Sequence, residues 1–100
     1  MKFFPFVIFA VQGESMFPNF IPGDRVVILT WGFSLQTGDA VVLFDPRNGR
    51  KILKRISKVK KEGSGLSYYV LGDNVKESTD SRVWGWVSQE KIIGKVIWKV

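Results

Sequence analysis

Residues 40–71 read AVVLFDPRNGRKILKRISKVKKEGSGLSYYVL, and this stretch decides the fold. It holds three runs rich in Val, Ile, Leu and aromatic residues, a composition that is typical of β-strands. The segments DPRNG (45–49) and EGSG (62–65) separate these runs with residues that favour tight turns. We therefore predict consecutive strands at 40–44, 51–61 and 66–71, the last two joined as a hairpin.

The pattern continues on both sides of this stretch. Further strands are predicted at 6–12, 25–31 and 95–100. Loops are predicted at 16–24, 32–39 and 72–87, with one helical turn at 88–91. Short strands separated by turn signals indicate an all-β, mainly antiparallel barrel or sandwich with long loops. A chain of 100 residues has room for one core, so we predict a single domain over 1–100.

Two absences in the composition exclude whole mechanisms. The chain has no cysteine and no histidine. It therefore has no disulfide framework, no thiolate nucleophile, no Ser-His-Asp triad and no histidine-ligated zinc. A catalytic base must then come from Asp, Glu, Lys or Tyr, unless an external cofactor supplies it. The carboxylates near 72–74 lack the spacing of a calcium loop, so we predict no metal and no cofactor.

Positive charge is concentrated in one part of the chain. The formal net charge is +6, and residues 47–61 contain eight basic residues and no acidic one. Such a run is typical of a solvated hairpin face, a nucleic-acid patch or a surface for anionic lipid. No aromatic residue lies within the run to stack on bases, so a nucleic-acid partner is disfavoured.

The most apolar stretch, residues 3–11, is interrupted by Pro5. A helix that crosses a bilayer needs about 20 apolar residues, so no transmembrane helix is predicted. We predict a strand here, and contact of Phe3, Phe4 and Phe6 with a membrane surface is the alternative.

Three clusters of polar and glycine residues hold the candidate functional side chains. They are GESMFP (13–18) with GD (23–24), GD (38–39) with KR (54–55), and GDNVKESTDSRVWG (72–85). Taken alone, each cluster has an ordinary explanation: a turn or N-cap serine, an exposed lysine, and a loop that hydrogen-bonds its own backbone. Together, in this order and over nearly the whole chain, they resemble type I signal peptidases, the Ser/Lys-dyad serine proteases.

The resemblance implies a catalytic core of the signal-peptidase/LexA-like type. It also implies a serine endopeptidase that cleaves a signal or pro-segment after a small residue. On this resemblance Ser15 is the nucleophile and Lys54 the general base. Ser78 orients the lysine, and Asp80 and Arg82 brace the site. Relatives use either Ser/Lys or Ser/His pairs, and a chain without histidine fits only the first kind.

The physical chemistry of the proposed base is consistent with this assignment. A lysine is protonated at neutral pH, but burial disfavours the ammonium and lowers its pKa. Lys54 lies between Leu53 and Ile56 in a predicted strand, which favours partial burial. We therefore predict a depressed pKa for Lys54, and we expect a nearby Arg55 to lower it further.

The resemblance also implies how substrate binds. A protein or peptide in extended form is expected to dock against strand edges, with small residues favoured at the cut and two positions before it. The lining residues would be Phe9, Met16, Phe20 and Ile52, although Phe9 and Ile52 fit a core position equally well. The oxyanion hole would use the Ser15 backbone N–H, since Gly13 stands where some members supply a serine hydroxyl.

The chain departs from the family in two respects: few residues precede Ser15 where family members usually carry a membrane anchor, and the large insertion of some bacterial members is absent. An excised or reduced form of a longer enzyme is one explanation of these differences. We expect a small peptidase, soluble in the cytoplasm or peripheral at a membrane, similar to the maturation proteases of nickel-type superoxide dismutase. Two alternatives stay open: a LexA/UmuD-like self-cleaving protein, and a non-catalytic basic β-domain that binds nucleic acid or anionic membrane.

Overall fold

One curled antiparallel sheet of seven strands forms the body of the protein, in the order β1-β2-β7-β3-β4-β5-β6. The computed structural model describes residues 5–100, so the predicted roles of Phe3 and Phe4 lie outside the described residues. The strands are β1 (Phe6–Ala10), β2 (Arg25–Leu29), β3 (Ala40–Phe44), β4 (Lys51–Glu62), β5 (Gly65–Leu71), β6 (Val87–Ser88) and β7 (Ile92–Lys99). The predicted all-β, mainly antiparallel class is confirmed.

The central strand β3 is buried on both faces, which explains its unbroken apolar sequence. Ala40 and Val42 pack into one hydrophobic cluster, with residues from β2 and β4 and from the turn after β1. Val41 and Leu43 pack into a second cluster on the other face, with residues from β4, β5, β6 and β7. The two clusters hold the sheet in its curled form.

The long loop predicted at 72–87 contains more regular structure than the sequence indicated. A 3₁₀ turn spans Val75–Glu77 and a short helix α1 spans Ser81–Trp84. The carboxylate of Asp80 caps α1 by accepting a hydrogen bond from the Arg82 backbone N–H at 3.2 Å. A second 3₁₀ turn at Gln89–Lys91 lies within the predicted helical turn.

Strand β7 begins three residues before its predicted start. The glycine at position 94 breaks the alternating pattern, so the sequence indicated a strand only from 95 onward. The structure shows why a glycine is there. A Cβ atom at Gly94 would lie 2.8 Å from the Leu29 carbonyl oxygen of β2, so only glycine allows this close approach.

No helix within residues 5–100 is long and apolar enough to cross a membrane.

The buried side chains of β3 should dominate stability. Leu43 is 0% exposed, and replacing it with alanine should lower the free energy of unfolding by about 2–5 kcal/mol through lost contacts and a cavity. Val83 is 72% exposed, and Val83→Ala should change it by no more than about 0.5 kcal/mol. Urea unfolding followed by tryptophan fluorescence measures both. Equal effects of the two substitutions would contradict the packing described.

Candidate active site

The turn after β1 carries Ser15 and is fastened to the loop after β5. Met16 is 1% exposed and anchors the turn in the core. The Asn74 backbone N–H donates to the Ser15 carbonyl at 2.8 Å, and the Asn74 amide donates to the Glu14 carbonyl at 3.0 Å. The Asp73 N–H donates to the Met16 sulfur at 3.4 Å. Two segments far apart in sequence are thus fixed to each other around Ser15.

Lys54 projects from β4 into the interior, and only 4% of its surface is exposed. Its Nζ donates a hydrogen bond to the Ser78 hydroxyl at 3.2 Å. The Ser78 hydroxyl donates in turn to Asp80 Oδ2 at 2.7 Å. The structure therefore joins three of the predicted site residues in one hydrogen-bonded chain.

Asp80 is the buried anchor of this chain and is 0% exposed. Besides Ser78, its carboxylate accepts hydrogen bonds from the Gly72 N–H at 2.8 Å and from Arg82 Nε and Nη2 at 2.9 and 3.0 Å. Arg82 Nη2 also donates to the Val75 and Ser78 carbonyls. Burial alone would raise the pKa of Asp80, but the hydrogen bonds from Arg82, Gly72 and Ser78 outweigh it and hold that pKa well below its usual range.

Burial also lowers the pKa of Lys54, because the ammonium loses its hydration. The negative charges of Asp80 and Asp45 oppose this shift, and the positive charges of Arg47 and Arg82 add to it. The net result is a lysine whose pKa lies below the ordinary value.

The prediction that Arg55 lowers the pKa of Lys54 is wrong. Neighbouring residues of a strand point to opposite faces of the sheet, so Arg55 points away from Lys54. Its guanidinium instead makes two hydrogen bonds to the Asp73 carboxylate, both at 2.8 Å, and one to the Gly38 carbonyl. Arg55 therefore ties β4 to the loop after β5.

Ser15 and Lys54 line the same open cavity of about 660 Å³. Phe9 and Ile52 line it as well. Among residues 5–100, no hydrogen bond joins Ser15 to Lys54, whose ammonium donates to Ser78 instead. The Ser15 hydroxyl would therefore have to approach the amine for a proton to pass, a geometry that enzymes without bound substrate often show.

The other two predicted lining residues lie elsewhere. Met16 is buried in the core beneath Ser15. Phe20 lines a separate concavity, where it packs against the first hydrophobic cluster and lies under the Lys99 ammonium at 5.3 Å.

Gly72 is a site residue that sequence reasoning did not single out. A Cβ atom there would overlap the Ser78 side chain and would lie 2.7 Å from the Ser15 carbonyl oxygen. The glycine therefore allows the Ser15 turn, the Ser78 loop and β5 to meet. Its place at the head of the 72–85 cluster was the available signal.

Asp45 and Arg47 also line the cavity; both were predicted as turn residues, and Arg47 also as part of the basic run 47–61. Asp45 is 3% exposed and pairs with Arg47 through two side-chain hydrogen bonds of 3.1 and 2.8 Å. Nothing in the sequence distinguishes this Asp-Pro turn from an ordinary one. In the part of the chain that the structure describes, no three acidic, histidine or cysteine side chains come together as metal ligands.

The sequence is similar to that of several known peptidases. The family model described as "Signal peptidase, peptidase S26" matches residues 61–100, which include Ser78, Asp80 and Arg82. Signal peptidase I from Buchnera aphidicola is 57% identical over 30 residues, which make up 30% of this chain and 10% of that protein.

Two longer similarities cover most of the chain. Signal peptidase I U from Bacillus subtilis is 25% identical over 86% of this chain and 71% of its own length. Probable signal peptidase I-1 from Synechocystis is 23% identical over 89% of this chain and 68% of its own length. These matches support a hydrolase and, within that class, a serine peptidase. They also support a member of the type I signal peptidase family, whose model matches residues 61–100. The likeness to nickel-type superoxide dismutase maturation proteases stays a prediction.

The close packing at Gly72 makes it sensitive to a single added methyl group. Gly72→Ala should lower the free energy of unfolding by about 1–3 kcal/mol, because the Cβ atom meets Ser78 and the Ser15 backbone. The matched control is Gly65→Ala, whose Cβ atom would meet only the Gln89 side chain at 3.5 Å. Chemical denaturation compares them, and an equal loss in both variants would contradict the packing.

The depressed pKa of Asp80 predicts a pH-dependent contribution to stability. Below about pH 4 the unfolded chain takes up a proton at this carboxyl while the folded protein does not, so stability is lost as pH falls. The stability difference between wild type and Asp80→Asn should be greatest near neutrality and should shrink below that pH. Unfolding measured from pH 7 to pH 3 tests this, and a constant difference would disprove it.

Proposed function

We propose that this protein is a serine endopeptidase in which Ser15 is the nucleophile and Lys54 the general base. The proposal rests most on one observation: Ser15 and the buried Lys54 line a single cavity. The substrate would be a protein segment bound in extended form, from which a signal or pro-segment is removed after a small residue. The similarity to signal peptidases supports this reaction class.

The chemistry follows from the charge state of Lys54. A serine hydroxyl is a weak nucleophile until a base takes its proton. The neutral Lys54 amine accepts that proton while Ser15 Oγ attacks the peptide carbonyl. The resulting ammonium gives the proton to the leaving amine, and the acyl group stays on Ser15. A water molecule, deprotonated by the same amine, then attacks the acyl carbon; the bond to Ser15 Oγ breaks, the acid leaves, and the ammonium returns its proton to Ser15 Oγ.

Ser78 is proposed to orient the base. Its own proton is directed at Asp80, so a lone pair of its oxygen faces Lys54 Nζ and accepts an N–H from it. With one N–H held in this way, the amine has a restricted orientation. Arg82 offsets the charge of Asp80, which would otherwise favour the protonated lysine.

The oxyanion of the intermediate is proposed to bind the Ser15 backbone N–H. Within residues 5–100 this N–H donates no hydrogen bond, so it is available to a substrate oxygen. Gly13 offers no side-chain donor. Phe9 and Ile52 are proposed as walls for the substrate, and Met16 would act from below by fixing the Ser15 turn.

A peripheral membrane contact is proposed at one exposed face of the sheet. Ile8 of β1 and Trp98 of β7 are in register on either side of Val27 of β2, and Phe6 lies two residues before Ile8 on the same face of β1. Phe6, Ile8 and Trp98 are 54%, 47% and 69% exposed. Aromatic and aliphatic side chains in such an array suit the boundary of a lipid layer.

The dyad is tested with a peptide that has alanine at the cut and two positions before it. Ser15→Ala and Lys54→Met should each reduce cleavage by about 10⁴-fold or more, because both groups act in the same step. Methionine keeps the apolar stem of the buried lysine. The control is Lys61→Met, an exposed position on the same strand, which should cleave like wild type. Substantial activity in either dyad variant would refute the proposal.

A further inference from the structure

The cavity that holds Ser15 and Lys54 has one strongly basic wall. It is formed by Arg47 and Arg50 from the turn between β3 and β4 and by Lys51, the first residue of β4. Asp45 is the sole carboxylate among the described lining residues, and it is buried and paired with Arg47. The wall therefore carries an excess of positive charge beside the proposed reaction centre.

Backbone hydrogen bonds hold this turn in one shape. The Asp45 N–H donates to the Arg50 carbonyl at 2.7 Å, and the Gly49 N–H donates to the Asp45 carbonyl at 2.8 Å. The Arg50 N–H donates to the Asn48 side-chain oxygen at 2.9 Å. Because the turn is already ordered, a ligand that contacts it loses little binding energy to ordering the backbone.

Two of the three cations have no acidic partner. Arg47 is paired with Asp45, whereas no carboxylate of the residues described lies within 4 Å of the Arg50 or Lys51 side chain. A guanidinium can bind a carboxylate through two parallel hydrogen bonds. Arg50 and Lys51 therefore suit a ligand carboxylate.

The position of the basic wall along β4 determines how many residues separate a ligand side chain at the wall from the cleaved bond. A strand rises by about 3.3 Å per residue, so Lys51 lies about 10 Å from Lys54 along β4, and Arg50 lies one residue beyond the start of the strand. Lys51 and Lys54 are three residues apart, so their side chains leave opposite faces of β4, yet both residues border the cavity. An extended peptide that runs along β4 has nearly the same rise. A side chain three or four residues from the bond held at Ser15 would thus reach the wall.

We propose that Arg50 and Lys51 form a subsite that selects an acidic side chain, Asp or Glu, three or four residues from the cleaved bond. This deepens the proposed function and rests on it, because Ser15 and Lys54 mark the position of the cut. The substrate class is then an extended peptide with small residues at the cut and a carboxylate at that spacing.

The test measures binding, so that it does not need catalysis. Peptides that differ only by Glu or Gln, three or four residues on either side of the cut, are titrated into the Ser15→Ala protein at low salt. At one position the Glu peptide should bind about fivefold more tightly, the strength of a partly exposed ion pair. High salt should reduce this preference.

Matched variants locate the effect. In the Ser15→Ala background, Arg50→Gln with Lys51→Gln should bring the Glu-to-Gln ratio close to one. Lys61→Gln, which removes a charge outside the cavity, should leave the ratio unchanged. Equal binding of Glu and Gln peptides at every position would overturn the proposal. An equal drop in the ratio for the cavity and control variants would also overturn it, because it would indicate general attraction to a basic protein.

The two proposals fail in different ways. If wild type cleaves the alanine peptide with no preference for Glu in binding or cleavage, the subsite is wrong and the peptidase stands. If the Glu preference appears in binding but wild type cleaves none of the peptides, Arg50 and Lys51 bind a carboxylate as proposed, but the peptidase is wrong and the spacing no longer refers to a cleaved bond.

Discussion

The main physical constraint on this structure is the burial of one lysine, Lys54, in the interior of a small β-protein. A buried ammonium without partners is strongly unfavourable, so Lys54 must either lose its proton or find compensation. The hydrogen-bonded chain through Ser78 to Asp80 provides a polar partner, and Arg82 neutralises the carboxylate at its end. Burial lowers the pKa of Lys54, and Ser78 accepts a hydrogen bond from its Nζ; a lowered pKa and a fixed orientation are what the proposed general base requires.

The rest of the fold brings separate segments to this chain. Strand β4 supplies Lys54, the loop after β5 supplies Ser78 and Asp80, and the turn after β1 supplies Ser15. Gly72 lies where the last two segments touch, and the backbone of Asn74 holds the Ser15 turn in place. The salt bridge between Arg55 and Asp73 then fixes the loop to β4 from the opposite face. Each segment is therefore positioned by contacts that are distant in sequence.

Local sequence patterns predicted most of the sheet, because the apolar and polar residues of a strand indicate which of its faces are buried. The apolar run of β3 and the turns on either side gave its bounds, and the zero count of histidine limited the candidate bases. Local sequence patterns do not show which side chains meet between segments that are distant in sequence. Arg55 is next to Lys54 in the sequence and was expected to lower its pKa. Because side chains alternate between the faces of a strand, Arg55 lies on the opposite face and binds Asp73. The sequence indicated an ordinary turn at Asp45 and Arg47. In the structure, the pairing of β3 with β4 places this turn beside the cavity.

The central claim is that Lys54 is a base because it is buried and only partly compensated. Its pKa can be measured directly by NMR, from the pH dependence of the side-chain carbon and nitrogen shifts in lysine-labelled protein. The signal is assigned by its loss in Lys54→Met. The account predicts a transition clearly below 10.5, the ordinary value for a lysine. A transition at or above that value would mean that Lys54 is a structural cation, and the proposed mechanism would be contradicted.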